Sequence, residues 1–277
     1  MNCIIFRNRP QFYRTLGTGD PVVLLHGFAE DGSIWNYLTG QIAKEFFVIV
    51  PDLPGSGHSV ILDGNPGMTD YASAVKAIVD KVLGDKPVKL FTLIGHSMGG
   101  YIALAFAEKY PDRLNGIGLF HSTAFGDTEL KKEARKKGID FITHNGVVPF
   151  LKTSVPNLFA EKSKKKKPWL IESILEQYRY FSPEALIQYY RAMIKRPDRR
   201  AVLQRFQKPV LFLIGKEDKA VTLHDSLEQS YLPPIAFIKV LQHSAHMGMV
   251  EERNKATAFL RQFLQYAACF PHGTSAN

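Results

Sequence analysis

Short, almost unbroken apolar runs recur along this chain. They cover residues 21–25, 46–50, 88–94, 114–120, 209–214 and 235–241. Runs of this length without polar alternation read as strands covered on both faces. Two shorter segments, 3–6 and 11–16, read as an opening pair of strands joined ahead of a Gly17-Thr18-Gly19-Asp20 turn. Between the runs, apolar residues return at helical spacing. Tyr71, Val75, Ile78 and Val82 mark one helix, the Ala- and Leu-rich stretch 101–110 a second, and Val250, Phe259, Leu260, Phe263 and Leu264 a final one. Another helix is expected to start at Gly32 or Ser33 and run through Trp35 and Leu38 to Ala43. Strands alternating with helices predict an α/β fold, a mostly parallel, doubly wound sheet with helices on both faces. The alternation stops after His121, the end of the sixth strand. Residues 123–206 are basic, aromatic and helical in pattern, without a convincing strand. They read as a helical cap or lid inserted into a core formed by residues 1–122 and 207–277.

Length and charge refine this picture. With 277 residues, 45% of them hydrophobic, the chain can build one large α/β domain with an insertion. The net charge of +9 is concentrated: residues 127–208 hold 19 Lys and Arg against nine Asp and Glu, so the rest is about neutral. Lys162 and Lys164 to Lys167 form the densest run, expected as a solvated loop or as a surface that attracts acidic groups. Neither a helix-turn-helix pattern nor an aromatic-interleaved basic stretch points to nucleic acid. No apolar run approaches the length of a membrane span, and Met1–Phe6 is followed by Arg7, Asn8, Arg9 and Pro10 rather than a secretion signal. A cytoplasmic protein without stable membrane association, monomeric or homodimeric, is expected. Cys3 and Cys269, near opposite ends, read as lone thiols and form no metal-ligand cluster.

The chemistry gathers around Gly95-His96-Ser97-Met98-Gly99-Gly100, between the apolar run ending at Ile94 and the helical stretch from Tyr101. A Gly-x-Ser-x-Gly turn between strand and helix is the geometry of a nucleophile elbow. Glycines at 95 and 99 let strand and helix close on each other, and Ser97 then stands at a helix N-terminus, where free N–H groups favour developing negative charge. A serine hydroxyl needs a base to take its proton and an acid to orient that base. In the chain order of such folds the acid follows a late strand and the base comes last. Asp218, in Gly215-Lys216-Glu217-Asp218, is the candidate acid, with Glu217 behind it. His246, just before the final helix, is the candidate base over His243. Oxyanion donors are expected from the backbone N–H groups of Met98 and of Phe28, in the turn after the first parallel strand. His26 reads as a brace for that loop.

Taken together, these motifs and Asp52-Leu53-Pro54-Gly55-Ser56-Gly57-His58-Ser59 resemble the α/β-hydrolase family over most of the chain. The resemblance implies the α/β-hydrolase fold, a catalytic triad of Ser97, Asp218 and His246, an oxyanion hole of Phe28 and Met98, and hydrolysis of a small-molecule carboxylic ester without metal or organic cofactor. Family dehalogenases and epoxide hydrolases use an aspartate where this chain has Ser97. Carbon–carbon bond hydrolases with this triad usually carry Asn before the serine and Trp after the base; here these are His96 and Met247, which lowers that alternative. A third reading is a ligand receptor on the same fold with little turnover. For the cap, Phe125, Phe141, Phe150, Leu151, Phe159, Trp169, Tyr178 and Phe181 are the expected pocket lining, and the lysine run is expected to face water.

Overall fold

The computed structural model describes residues 1–84 and 89–271. Eight strands form one sheet: β1 Asn2–Phe6, β2 Arg9–Leu16, β3 Asp20–Leu25, β4 Phe46–Pro51, β5 Phe91–His96, β6 Leu114–Phe120, β7 Val210–Gly215 and β8 Ala236–Leu241. Their spatial order is β1-β2-β4-β3-β5-β6-β7-β8. The opening pair β1–β2, and β2 against β4, run antiparallel, and every pairing from β4 to β8 is parallel. This is the mostly parallel sheet that the alternation predicts, in the α/β-hydrolase architecture that the resemblance implies. Each residue of β5, β6 and β7 is buried, which is why these segments carry no polar alternation. The expected start of β5 at Val88 lies outside the described residues; the strand itself begins at Phe91.

Among the described residues, six helices belong to the core around the sheet. They are α1 Asn36–Ile42, α2 Met68–Leu83 and α3 Met98–Lys109, then, after a helical segment considered below, α10 Leu223–Ser230, α11 Gly248–Glu251 and α12 Arg253–Cys269. The helix expected from Gly32 is a 3-10 turn over Gly32–Trp35 followed by the shorter α1. Asp31 sets that turn by accepting from the Ser33 amide. The final helix is likewise two pieces, α11 and α12, broken at Glu252. α3 is buried from Met98 to Ala107, so it is apolar all round and has no amphipathic stripe. The polar sequence from Pro271 onward reads as a loose tail, and beyond Pro271 it lies outside the described residues. Cys3 and Cys269 are both free and exposed.

Between β6 and β7 the chain forms α4 Glu129–Asn145, α5 Val147–Ser154, α6 Glu161–Lys166, α7 Pro168–Tyr178, α8 Pro183–Lys195 and α9 Arg200–Arg205. Several hydrogen bonds tie this segment to the core below it, two carboxylates among them. Glu251 accepts from the amides of both Ala160 and Ala245 at 2.8 Å, and Glu217 accepts from that of Glu161 at 3.1 Å. The lysine run is helical rather than a loop, since it forms α6 and the residue after it. Lys162, Lys165, Lys166 and Lys167 are exposed, and Lys164 is half-buried with its ammonium 2.9 Å from Glu161.

β5 and α3 approach so closely that a Cβ on Gly95 would overlap the carbonyl of Gly99, and one on Gly99 would lie 2.6 Å from the carbonyl oxygens of Leu25 and His26. These contacts are backbone, which cannot rotate away. Gly99→Ala is therefore expected to destabilise the protein by about 3 kcal/mol or more, at the upper end of overpacking penalties. Urea unfolding reads this directly; a loss below about 1 kcal/mol would show that strand and helix can separate without cost.

Candidate functional site

Ser97 occupies the single residue between β5 and α3, with φ 49° and ψ −114°. A non-glycine residue at positive φ is strained, and the surroundings hold it there. Its amide donates to Phe120 O at 3.0 Å and its carbonyl accepts from Ser122 Oγ at 2.7 Å, both just past or within the end of β6. The side chain is thereby aimed away from the sheet and towards the loop after β8.

From that loop His246 presents Nε2 at 2.8 Å from Ser97 Oγ. Its other nitrogen, Nδ1, lies 2.7 Å from Asp218 Oδ2, in the loop after β7. A carboxylate oxygen can only accept here, so Nδ1 carries the proton and Nε2 is left to accept from the serine. The second oxygen of Asp218 accepts from the amides of Ala220 and Val221, at 2.8 and 3.0 Å, which fixes the carboxylate plane. Serine, histidine and aspartate, 149 and 28 residues apart in sequence, thus form one hydrogen-bonded chain. Burial works against charge on both His246 and Asp218, but their mutual attraction and hydrogen bond prevail. His246 is held above the ordinary imidazole value and Asp218 below the ordinary carboxylate value. His243 is exposed and uses its amide on Glu252, while Glu217 faces the start of α6; neither joins the chain.

The two backbone amides expected to serve an oxyanion are both free of protein partners. Among the described residues neither Phe28 N–H nor Met98 N–H has a hydrogen-bond partner. Met98 opens α3, where the first amides are necessarily free. The loop bearing Phe28 is braced from below. His26 Nε2 accepts from the Leu53 amide at 2.9 Å, and its Nδ1 lies 2.9 Å from Gly27 O, so His26 is committed to the loop. Asp52 accepts from the amides of Gly32 and His58, at 3.0 and 3.2 Å.

Three buried groups beside this chain escape a reading of motifs. Glu30 accepts from the Gly27 amide at 2.6 Å and sits 2.9 Å from Nδ1 of His96, whose Nε2 donates to the carbonyl of His246 at 3.0 Å. Burial opposes ionisation of Glu30, but His96 and the Gly27 amide hold it below the ordinary carboxylate value. The pair connects the Phe28 loop to the base. His121, at φ 49° after β6, accepts from the Gly248 amide through Nε2 and turns Nδ1 to Asp218 Oδ2 at 3.6 Å. Burial holds it well below the ordinary imidazole value, so it stays neutral beside the aspartate. The only sequence signals were a glutamate three residues past Gly27 and a polar His-Ser pair where an apolar strand ends.

Glu30→Gln keeps the shape but removes the charge that orients both Gly27 and His96. Any turnover at Ser97 is expected to fall about 10²-fold, mostly in kcat, as a misplacement of the donor loop would cause. Steady-state kinetics check this; a change confined to KM would assign Glu30 to ground-state binding instead.

A cavity of about 200 Å³ opens over Ser97. Its floor includes Phe28, His96, Ser97 and His246, and its roof comes from the helices between β6 and β7, through Arg135, Phe150, Leu151, Ile174, Tyr190 and Met193. Of the eight expected lining residues only Phe150 and Leu151 are there. Phe159 is buried elsewhere, Trp169 and Phe141 are exposed at 58% and 39%, Tyr178 turns its hydroxyl towards Asp31, and Phe125 and Phe181 lie outside the cavity. Each helix of the roof has apolar residues on more than one face, so composition alone does not say which face looks down. Among the described residues no group of three or more His, Cys, Asp or Glu side chains is placed to hold a metal ion, and no helix is long and apolar enough to cross a membrane.

Residues 20–137 match the sequence family described as the alpha/beta hydrolase fold. The chain is 25% identical over 271 residues to the dihydrolipoyllysine-residue acetyltransferase component of the acetoin cleaving system of Cupriavidus necator. That match covers 92% of this chain and 66% of the relative, so the chain spans a little less than two thirds of that protein's length. It is 24% identical over 274 residues to the pimeloyl-[acyl-carrier protein] methyl ester esterase of Aliivibrio salmonicida, covering 92% of this chain and 95% of that one. Among solved structures, a malate-bound thermophilic esterase from Thermogutta terrifontis superposes with a TM-score of 0.88 at 29% identity, over 94% of each chain.

Proposed function

We propose, from the premise that this chain belongs to the α/β-hydrolase family, that it is a serine hydrolase cleaving carboxylic esters of small molecules. The observation that carries the reading is the continuous Ser97–His246–Asp218 hydrogen-bonded chain opening on a cavity, with unpartnered amides at Phe28 in its wall and at Met98 next to the serine. The esterase names among its relatives point the same way.

In this reading Ser97 Oγ attacks the ester carbonyl while His246 Nε2 takes its proton. The amides of Phe28 and Met98 receive the charge that forms on the carbonyl oxygen, and Asp218 stabilises the imidazolium through Nδ1–H. The tetrahedral adduct collapses by breaking the bond to the alkoxy oxygen, which leaves with the proton from His246. A water then loses a proton to His246, adds to the acyl-serine, and the acid departs as Ser97 regains its hydrogen. Apart from that water, every group used is a side chain or amide of this chain. The segment 123–206 serves as the cap over a core of 1–122 and 207–277, and its short roof selects small acyl and alcohol parts. A cavity of about 200 Å³ holds only roughly six or seven groups the size of a water.

Mass spectrometry of protein quenched during turnover of a slow aryl ester tests the reading. The acyl mass is expected on the peptide containing Ser97. Turnover with the label on any other residue, or no hydrolysis across a panel of short esters, overturns it.

A further inference from the structure

The roof of the cavity carries a cation that the ester chemistry does not use. Arg135 of α4 lines the cavity, its side chain 19% exposed, whereas its neighbours Lys132 and Lys136 point outward and pair with Glu129 and Glu133. Nε and Nη2 of Arg135 donate to the buried carboxylate of Asp127 at 2.6 and 3.3 Å. The same carboxylate receives Arg196 at 2.9 Å. Two guanidinium groups therefore share one carboxylate, and the cluster keeps one positive charge in excess.

The two arginines differ in what they have left to give. Arg196 is 3% exposed, donates to the carbonyls of Met193 and Phe125, and lies 3.9 Å above the ring of Tyr101; it is committed to the fold. Arg135 Nη1 has no hydrogen-bond partner among the described residues. Tyr101 and Tyr190 line the same cavity, the Arg135 guanidinium lies 5.7 Å from the ring centre of Tyr190, and neither hydroxyl has a hydrogen-bond partner among the described residues. The other ionisable groups of the wall are already matched, Glu30 by His96 and His246 by Asp218. The excess positive charge of the cluster and two phenol hydroxyls without a protein partner thus face a wall otherwise rich in Phe and Leu, and a ligand that displaces water from them must supply their partners. A neutral acyl chain would leave all three unpaired, whereas a carboxylate satisfies them.

We propose that this cavity recognises esters carrying a free carboxylate a few bonds from the scissile carbonyl, half-esters of short dicarboxylic acids, and that Arg135 holds that carboxylate. The inference rests on the ester-hydrolase reading for its chemistry and on the Arg135–Asp127–Arg196 cluster for its specificity. Arg135 is a specificity residue here, since it touches the substrate away from the reacting atoms.

The test compares methyl hydrogen glutarate with methyl hexanoate, a neutral ester of matching length. The kcat/KM ratio is expected to favour the half-ester by about 10- to 100-fold, the worth of a hydrogen-bonded charge pair. Arg135→Met should bring the ratio close to one, and Arg135→Lys should keep part of it. A ratio near or below one in the unmodified protein, or one that Arg135→Met leaves intact, overturns the inference while leaving the hydrolase reading standing. If neither ester is cleaved, the ester panel decides the hydrolase reading, and thermal unfolding with glutarate decides the site by itself. A glutarate-dependent rise in Tm that Arg135→Met abolishes supports the anion site, and its absence, or a rise that survives the substitution, refutes it.

Discussion

Ser97→Ala is expected to lower ester turnover by about 10⁴- to 10⁶-fold while leaving the cooperative unfolding transition in place. The hydroxyl makes one hydrogen bond to His246 and sits at a half-buried turn, so its removal opens no cavity in the core. What remains should be the modest rate supplied by the two backbone donors and by positioning. Fluorophosphonate labelling, followed by peptide mapping, reads the same point from the other side. Modification should fall on Ser97 alone and vanish in the alanine variant. Retention of more than a few per cent of activity would remove Ser97 from the chemistry. Loss of both activity and folding would leave labelling of the unmodified protein as the deciding result.

The base is expected to show itself in both substitution and pH dependence. His246→Ala should cost about as much as Ser97→Ala, because the two act as one unit, whereas His243→Ala should cost little, its ring being exposed and outside the chain. Only neutral His246 can accept the serine proton. Activity therefore falls as pH drops through its pKa, which burial pushes down and Asp218 pushes up, with a net rise above the usual 6.5 or so. The acid limb of kcat/KM should accordingly lie above pH 6.5. Asp218→Asn removes the raising influence and leaves the burial, so the limb should move to lower pH while the rate drops about 10⁴-fold. A limb that does not move when Asp218 is neutralised would show that another group is titrating. His121, held neutral 3.6 Å from Asp218, is the group to substitute next in that case.

The sheet, its strand sequence and the position of Ser97 were legible because each depends on residues close in the chain. An apolar run announces a strand covered on both faces, and the turn between β5 and α3 spans only a few residues whose glycines already declare the close approach. Asp218 and His246 could be placed by order along the chain, since a parallel sheet delivers the ends of successive strands to one edge. Only the folded structure paired them at hydrogen-bond distance and excluded Glu217 and His243, a choice made by the two loops that Glu251 and Asp218 organise through backbone amides.

The roof and the buried layer behind the site were decided by tertiary packing. Glu30 and His96 meet across 66 residues, and nothing in either local sequence signals the encounter. Helices α4, α5, α7 and α8 have apolar residues on several faces, so their periodicity cannot separate residues that pack on each other from residues that look down on Ser97. Phe150 and Leu151 face the cavity while Phe159 and Trp169 do not. Arg135 sits in a basic stretch that composition assigns to solvent. It is drawn inward because Asp127, eight residues earlier, is buried with Arg196, and a buried carboxylate gathers whatever guanidinium the helix docking brings within reach. Local pattern thus determined the scaffold and the turn that carries Ser97, whose causes lie within a few residues. The long-range docking of helices on the sheet determined what surrounds them, because burial and charge pairing are properties of neighbours in space.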